Sequence, residues 1–391
     1  MSPNYEREEC ITQSAPMLSV IVPTEGRHSE IEALVASLRE AWHFHSEVLQ
    51  EQRAPEEVVN FLLVDSTDPP LDPRKIEGWD AQWMKVSRGT RHVRQKRNQG
   101  VHEARAPWVA FIDSDCIVAP GYFNAILAAL DRREARAFAG RVEFRGAENG
   151  VWRVIAGTQL VSPEAQTSGE GEVAWCATAN LIIERQLFLD LGGFDESLPF
   201  RLGGDDVDFG LRLQRNGNTL HVLPDALVVH PKEAWSRLGA IIPRTWRWGR
   251  VEYHLAVRHR DRVRLTPPFF TGTFLTLGLI CGTGAILTGR MGLLWMLPFW
   301  IFASTLLATL LTGWSSPIPF LWRYLSGWLE RVYHLGAAWE YLRAGSVRFL
   351  WESLILEGNL EELFPAEPLQ NWSNLLAALI VGLVGAVIVA R

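Results

Sequence analysis

"WVAFIDSDCIV" (residues 108–118) decides how this chain is read. Trp108 to Ile112 are apolar and read as a fully buried strand, and Asp113 and Asp115 follow at once with only Ser114 between them. Side chains along a strand alternate, so positions two apart share a face. Two carboxylates held there repel, and one takes up a proton unless a cation lies beside them. A solvated loop after a strand would account for the pair without any function, so the surrounding chain must decide.

Around this stretch, strands and helices alternate. "LSVIV" (18–22) reads as a short buried strand stopped by Pro23, and "SEIEALVASLREA" (29–41) places Ile31, Leu34, Val35 and Leu38 on one helical stripe. "VNFLLV" (59–64) is the next strand; it ends in Asp65 and the turn-rich "STDPPLDP". "QWMKV" (82–86) reads as a third strand and "RHVRQKRNQGVHEA" (91–104) as a basic helix. This alternation predicts an α/β domain with a mostly parallel sheet. Ligands of such sheets bind beyond the carboxyl ends of the strands. Pro23, Asp65, Asp113 and Asp115 all fall at such ends, so the aspartates are expected to be neighbours in space.

A second acidic knot follows in "GGFDESLPFRLGGDDVDFGLRLQRNG" (192–217), where Asp205, Asp206 and Asp208 open a helix behind two glycines. Acidic residues in a first turn meet the helix dipole favourably, by about 0.3–1 kcal/mol. One aspartate is explained that way, and three in four positions exceed what capping needs. "LVVHP" (227–231) ends another apolar run with His230. A lone histidine is ordinarily a surface or core residue, but imidazole beside carboxylates suits a divalent transition metal such as manganese.

Composition sets the frame. The 391 residues carry a formal net charge of −6, which does not suggest a broad nucleic-acid-binding surface. Cys10, Cys116, Cys176 and Cys281 are scattered without zinc-like spacing, and a reducing compartment suits them. The opening "MSPNYEREECITQSAP" lacks the apolar core of a signal peptide. Beyond residue 264 the chain changes character. "PPFFTGTFLTLGLICGTGAILTG" (267–289), "MGLLWMLPFWIFASTLLATLLTGW" (291–314) and "WSNLLAALIVGLVGAVIVA" (372–390) are each long enough to cross a bilayer, which takes roughly 20 apolar residues. Arg244, Arg247, Arg250, Arg258, Arg260, Arg262 and Arg264 precede the first run, so the positive-inside bias puts the N-terminal domain in the cytoplasm.

These features divide the chain into a polar extension (1–16), an α/β domain (17–240), a basic-aromatic interface segment (241–265), two transmembrane helices (266–314), amphipathic helices (315–370) and a third transmembrane helix (371–391). The mixed aromatic and charged stretch after residue 315 suits helices lying at headgroup depth, and equally helices packed on the soluble domain.

At this point the residues resemble family 2 glycosyltransferases of the GT-A fold, over about residues 17–250. "LSVIVPTEGR" resembles that family's first strand and nucleotide loop, and "LLVDSTD" its VVDDGSTD with one acidic residue missing. "QKRNQGVHEARAPWVAFIDSD" is similar to its A-R-N-x-G…F-L-D-x-D, and "GGFDESLPFRLGGDDVDFGLRLQRNG" to its G-G-F-D-E…G-E-D-x-D-L-x-x-R, with Asp205 where Glu is usual. The resemblance implies a nucleotide-sugar donor, whose departing diphosphate needs a divalent metal (Mg²⁺ or Mn²⁺) and cationic side chains. It gives the metal to Asp115, with Asp113 on the ribose or the metal's water shell, Asp65 on the base and His230 as a further metal ligand. Pro23 shapes the nucleotide loop, and Arg97 and Asn98 support the pocket; an ordinary solvated helix face would also explain that last pair. The general base falls to Asp206, with Asp205 as the substitute candidate, and Asp208 is left to order the helix.

"RTWRW" (244–248) resembles the Q-x-x-R-W of processive polysaccharide synthases at two of three fixed positions, with Arg244 in place of the glutamine. In that reading Arg247 meets the diphosphate and Trp248 lies under the acceptor; an aromatic-basic membrane-interface segment is the competing reading. Together these features predict an inverting, metal-dependent transferase at the cytoplasmic face of a bacterial-type membrane, acting on a lipid or glycan acceptor. A membrane-bound nucleotidyltransferase and a non-catalytic scaffold of the same fold stand as alternatives.

Overall fold

In the computed structural model of the chain, the described residues are 16–68, 81–85, 92–158, 167, 169–199, 202–265, 270–312, 318–348, 352–354 and 376–380. The strands are β1 (Leu18–Thr24), β2 (Val59–Asp65), β3 (Ala81–Lys85), β4 (Trp108–Ile112), β5 (Ile117–Val118), β6 (Ala137–Arg145), β7 (Glu172–Val173), β8 (Asn180–Glu184), β9 (Leu220–Pro231), β10 (Val263–Leu265) and β11 (Glu352–Leu354). The helices are α1 (His28–Leu49), α2 (Pro55–Val58), α3 (Val93–Glu103), α4 (Tyr122–Arg132), α5 (Gly150–Ala156), α6 (Arg185–Asp190), α7 (Asp205–Arg215), α8 (Leu238–Arg258), α9 (Phe270–Thr288), α10 (Met296–Thr312) and α11 (Phe320–Arg343).

The central sheet runs β3-β2-β1-β4-β8-β6-β9-β5, with β7 paired to β9. Its first half is parallel, as the βαβ alternation requires: β3, β2, β1 and β4 run the same way. From β4 onward the sheet is mixed, because β8 lies antiparallel between β4 and β6 while β6 and β9 are parallel. The expected α/β architecture is therefore present, with an antiparallel insertion. β1 does not stop at Pro23 but runs to Thr24. Its pairing to β4 ends at Ile21, so the missing Pro23 N–H falls where only β2 still flanks the strand.

The sheet buries both faces, which is why its strands are apolar without alternation. On one side α1 and α4 pack Leu34, Leu38, Phe123 and Ile126 against Val20, Phe61 and Ile112. On the other side Phe111 of β4, Phe188 of α6, Phe194 of the loop after α6 and Phe209 of α7 form a ring cluster with centroids 5.0 to 5.4 Å apart. Such pairs contribute about 0.5–1.5 kcal/mol each beyond their burial. Their larger consequence is positional, because they tie the strand carrying Asp113 to the helix that begins at Asp205.

α8 leaves the α/β domain and packs lengthwise on α11. Two glycines make the approach possible: a Cβ on Gly249 would overlap the Tyr333 carbonyl oxygen, and one on Gly336 would overlap that of Trp246. Arg250 Nε (2.7 Å) and His254 Nε2 (3.3 Å) of α8 then meet the Glu340 carboxylate of α11. The basic-aromatic segment and the start of the amphipathic region thus lie against one another. Met291–Leu311 is long and apolar enough to cross a membrane, with mean hydropathy 1.8, and Thr276–Thr288 forms a shorter apolar helix. The polar extension before residue 16 lies outside the described residues. So does the third apolar run apart from residues 376–380, where Ala377 packs with Leu277 and Trp300.

Candidate active site

The loop holding Phe194 is fixed from α3. Asn98 donates to the Phe194 and Glu196 oxygens (both 2.9 Å) and accepts from the Phe194 N–H (2.9 Å). Arg94, fully buried, donates to the carbonyls of Asp195 (3.0 Å) and Leu198 (3.1 Å). The basic helix is therefore not a solvated face: Arg94, Lys96 and Arg97 are all buried, and Lys96 Nζ bonds the Thr24 carbonyl (2.7 Å) at the end of β1. Asn98 acts on this loop through its neighbours, while Arg97 reaches the cleft.

Arg97 is the bridge between the two acidic knots. Its Nη2 lies 2.6 Å from Asp113 Oδ1 and its Nη1 3.4 Å from Asp205 Oδ2. Its guanidinium also sits over the Phe194 ring at 5.8 Å. A planar fork suits two carboxylates better than the point charge of lysine would. Asp205 and Asp206 open α7 because Gly203 (φ +85°) and Gly204 (φ +79°) turn the chain through the left-handed region, which glycine enters without steric penalty. Asp205 is buried and Asp206 half-buried. Burial, followed by the Asp205 charge, pushes the Asp206 carboxyl up to about 7, against a smaller downward pull from Arg97.

Asp208 has a different fate. It accepts from Arg212 Nε (2.9 Å) and from His259 Nε2 (2.9 Å). Arg215 Nη2 faces His259 Nδ1 at 3.2 Å, which leaves the Nε2–H to donate to Asp208. Burial alone would raise the Asp208 carboxyl, but these partners hold it below its usual range.

At the other edge of the cleft, β5 runs antiparallel to β9 with Ile117 opposite Val229, so His230 falls beside the Asp115–Cys116 pair. His230 Nε2 is 3.7 Å from Asp115 Oδ1, and Arg27 is ion-paired to Asp115 Oδ2. Donor atoms of Asp115, Cys116 and His230 all lie within 4.8 Å of one another. A carboxylate, an imidazole and a thiol at that spacing can hold a divalent ion, so the residues fit the metal the sequence implies. Burial raises the Cys116 thiol, as do the Asp113 and Asp115 charges, so the oxygen and nitrogen are the stronger donors.

Asp65 ends β2 beside Thr24, and its Oδ1 accepts from the Thr67 N–H (2.8 Å) and hydroxyl. Thr67 Oγ1 in turn accepts from Gly26 N–H (2.7 Å), which ties the β1 and β2 loops together. Pro23, one residue earlier on β1, pairs with Val64. Trp248 of α8 covers Gly203. Its ring lies 5.6 Å from Trp235, which is 5.9 Å from His230, and Phe144 packs on both His230 (5.3 Å) and Trp235 (5.6 Å). Arg244 stacks on Trp235 at 4.2 Å; burial lowers it first, then the Arg247 charge. The strand-end, helix-start and α8 residues thus surround one cleft.

Three members of this group were not singled out from the sequence: Arg27, Cys116 and Trp235. Arg27 lies in the loop just beyond β1, so the rule that selects strand-end aspartates also reaches it. Cys116 abuts Asp115, and Trp235 carries no signal of its own in the sequence. A separate cavity of about 640 Å³ lies behind the Phe194 loop, lined by Gln95, Gln99 and His102.

The profile described as "Glycosyl transferase family group 2" matches residues 108–329, more than half of the chain, and "Glycosyl transferase family 2" matches residues 19–191. The O-antigen biosynthesis protein RfbC of Myxococcus xanthus is 26% identical over 59% of this chain and 18% of its own length. A pre-mycofactocin glycosyltransferase of Mycobacterium tuberculosis is 31% identical over 50% of this chain and 43% of its own. The chain thus spans less than half the length of these relatives. The crystal structure of S. aureus TarS 1-349 aligns with a TM-score of 0.42 at 16% identity, covering 84% of this chain and 92% of that one. From the two profile matches, the chain belongs to glycosyl transferase family 2.

Proposed function

We propose that the protein transfers a sugar from a nucleoside-diphosphate donor to an acceptor hydroxyl with inversion at the anomeric carbon. The observation that carries this reading is the Arg97 bridge, which holds the Asp113 strand end and the Asp205–Asp206 helix start on one cleft. Asp206 is the base: a carboxyl near 7 is matched to taking a proton at neutral pH. As its oxygen accepts that proton, the acceptor oxygen attacks the anomeric carbon opposite the diphosphate. The carbon–oxygen bond to the leaving group breaks, and its electron pair passes to the diphosphate.

Asp115 and His230 are the residues that would hold a divalent ion, with the Cys116 sulfur within reach. Bound there, such an ion supplies positive charge to the departing diphosphate. Arg27, Arg244 and Arg247 add positive charge on the same side, while Asp65 and Pro23 shape the place of the nucleoside. Trp248 over Gly203 offers an apolar face to the acceptor.

The apolar helices support a membrane setting. Leu279, Ile280, Ile286 and Leu287 of α9 and Phe299, Phe302, Leu310 and Leu311 of α10 are exposed, as lipid-facing side chains would be. The arginines of α8 precede them, which favours the catalytic domain on the cytoplasmic side. A lipid or glycan acceptor suits that setting, and the O-antigen name of one relative points the same way.

The test is metal-dependent release of nucleoside diphosphate by the full chain across a panel of nucleotide sugars. Release is expected from one donor class, and its loss in Asp115→Ala and Asp206→Asn. Equal turnover in both variants would end this reading.

A further inference from the structure

Asp115 is shared by a fixed partner and a loose one. His230 is packed between Phe144 and Trp235 and is 10% exposed in its side chain, while Asp115 itself is 8% exposed. Arg27 comes from solvent: it is 43% exposed, it follows Gly26 (φ +73°), and it stands just before α1. A buried carboxylate is thus neutralised by a cation on a half-exposed side chain. Lys96 cannot take that part, because its ammonium is buried on the Thr24 carbonyl.

We propose that Arg27 and the divalent ion exchange on Asp115, with Arg27 leaving the carboxylate as the ion arrives and moving to a phosphate oxygen of the nucleoside diphosphate. This rests on reading Asp115 and His230 as the metal position. Two cations in contact with one carboxylate repel one another, the more so where water is partly excluded. Arg27 therefore opposes the ion while it has no other anion. A diphosphate provides one, since a guanidinium fork matches phosphate oxygens.

The surroundings already favour that anion. Arg244 stacks on Trp235, which packs against His230, and it feels the charges of both Asp115 and Arg27, so a second guanidinium stands near this carboxylate. Arg244 Nη1 and Trp235 Nε1 are buried with no hydrogen-bond partner among the described residues. Buried donors of this kind ordinarily have an acceptor. Ion and nucleotide then bind cooperatively, and by linkage each tightens the other by the same factor.

The test is Mn²⁺ titration of the full chain, followed by the spin-resonance signal of free Mn²⁺. It is run with and without whichever of UDP, GDP and dTDP binds most tightly, and corrected for Mn²⁺ held by the nucleotide in solution. In wild type the nucleoside diphosphate is expected to tighten Mn²⁺ by about tenfold, within the usual range of such coupling. Arg27→Gln should bind Mn²⁺ alone several-fold more tightly and lose most of that coupling, with Arg27→Lys between the two. Because Arg27 is exposed, neither substitution removes core packing, and a thermal melt checks each. If Arg27→Gln leaves both Mn²⁺ affinity and coupling unchanged while Asp115→Asn abolishes binding, the exchange is wrong and the metal position stands. Mn²⁺ binding that is equal in wild type and Asp115→Asn overturns both.

Discussion

Asp206 and Asp208 are the same residue type two positions apart in one helical turn, and the structure puts them to opposite uses. Asp208 is 1% exposed and saturated by Arg212 and His259, and its carboxyl is held low. Asp206 has its own neighbour's N–H (Val207, 2.9 Å) and a like charge beside it, and it is held high. The difference shows that an acidic cluster is not a functional unit. A carboxylate with two hydrogen-bonded cations contributes to the fold, and one pushed up by burial and a neighbouring charge is poised to exchange a proton.

The widest separation of the two should come from Asp206→Asn, which keeps the shape and removes the proposed base. Transfer is expected to fall by about 10²–10⁴, while the melting temperature rises by roughly 2–4 °C. The sign follows from linkage. Asp206 is raised in the folded protein, so its stabilising contribution is present below the ordinary carboxylate pKa and lost as pH rises toward about 7. The stability gap in favour of Asn should therefore open between about pH 4 and 7, and the wild-type rate should climb over the upper part of that span. A melting temperature that falls at pH 8 would contradict this account.

Asp208→Ala should do the reverse, lowering unfolding free energy by about 3–5 kcal/mol because Arg212 and His259 lose their shared partner. Denaturant unfolding measures it. Asp208 is depressed, so the loss should hold steady above the ordinary carboxylate range and shrink only as pH falls through the lowered value.

Gly204→Ala probes what the two aspartates have in common. Left-handed backbone costs a non-glycine residue about 1–2 kcal/mol, and the added Cβ would stand 2.9 Å from Val251 Cγ2 on α8. Stability and transfer should drop together, since the whole first turn shifts. The finest readout comes from Arg97→Gln, whose residual transfer should have its pH limb moved to the alkaline side, because Arg97 is a cation that lowers Asp206. A limb moving toward acid would show that Arg97 acts on another group.

Much of the scaffold was legible in the chain. Trp108–Ile112 is apolar at every position, so it had to be a strand buried on both faces, and β4 has those bounds. Strand-end aspartates on parallel neighbours had to converge, because the βαβ rule puts their carboxyl ends on one edge. The mixed half of the sheet was not legible. β8 carries no polar alternation to mark its antiparallel direction, and its place is set by pairing with β4 and β6. The buried arginines of α3 were also hidden, because guanidinium groups normally read as solvent-facing.

The residues alone determined that this chain has an α/β domain, acidic strand ends, an acidic helix start and long apolar runs, since periodicity and local charge are encoded in neighbouring positions. The resemblance already gave Asp206 and Asp208 different parts, but only tertiary structure supplied the partners that set them apart. Asp205 meets Arg97 across 108 positions, Asp208 meets His259 across 51, and Asp115 meets Arg27 across 88. A carboxyl's proton affinity depends on charge and solvent within a few ångströms, and only the folded chain brings those partners that close.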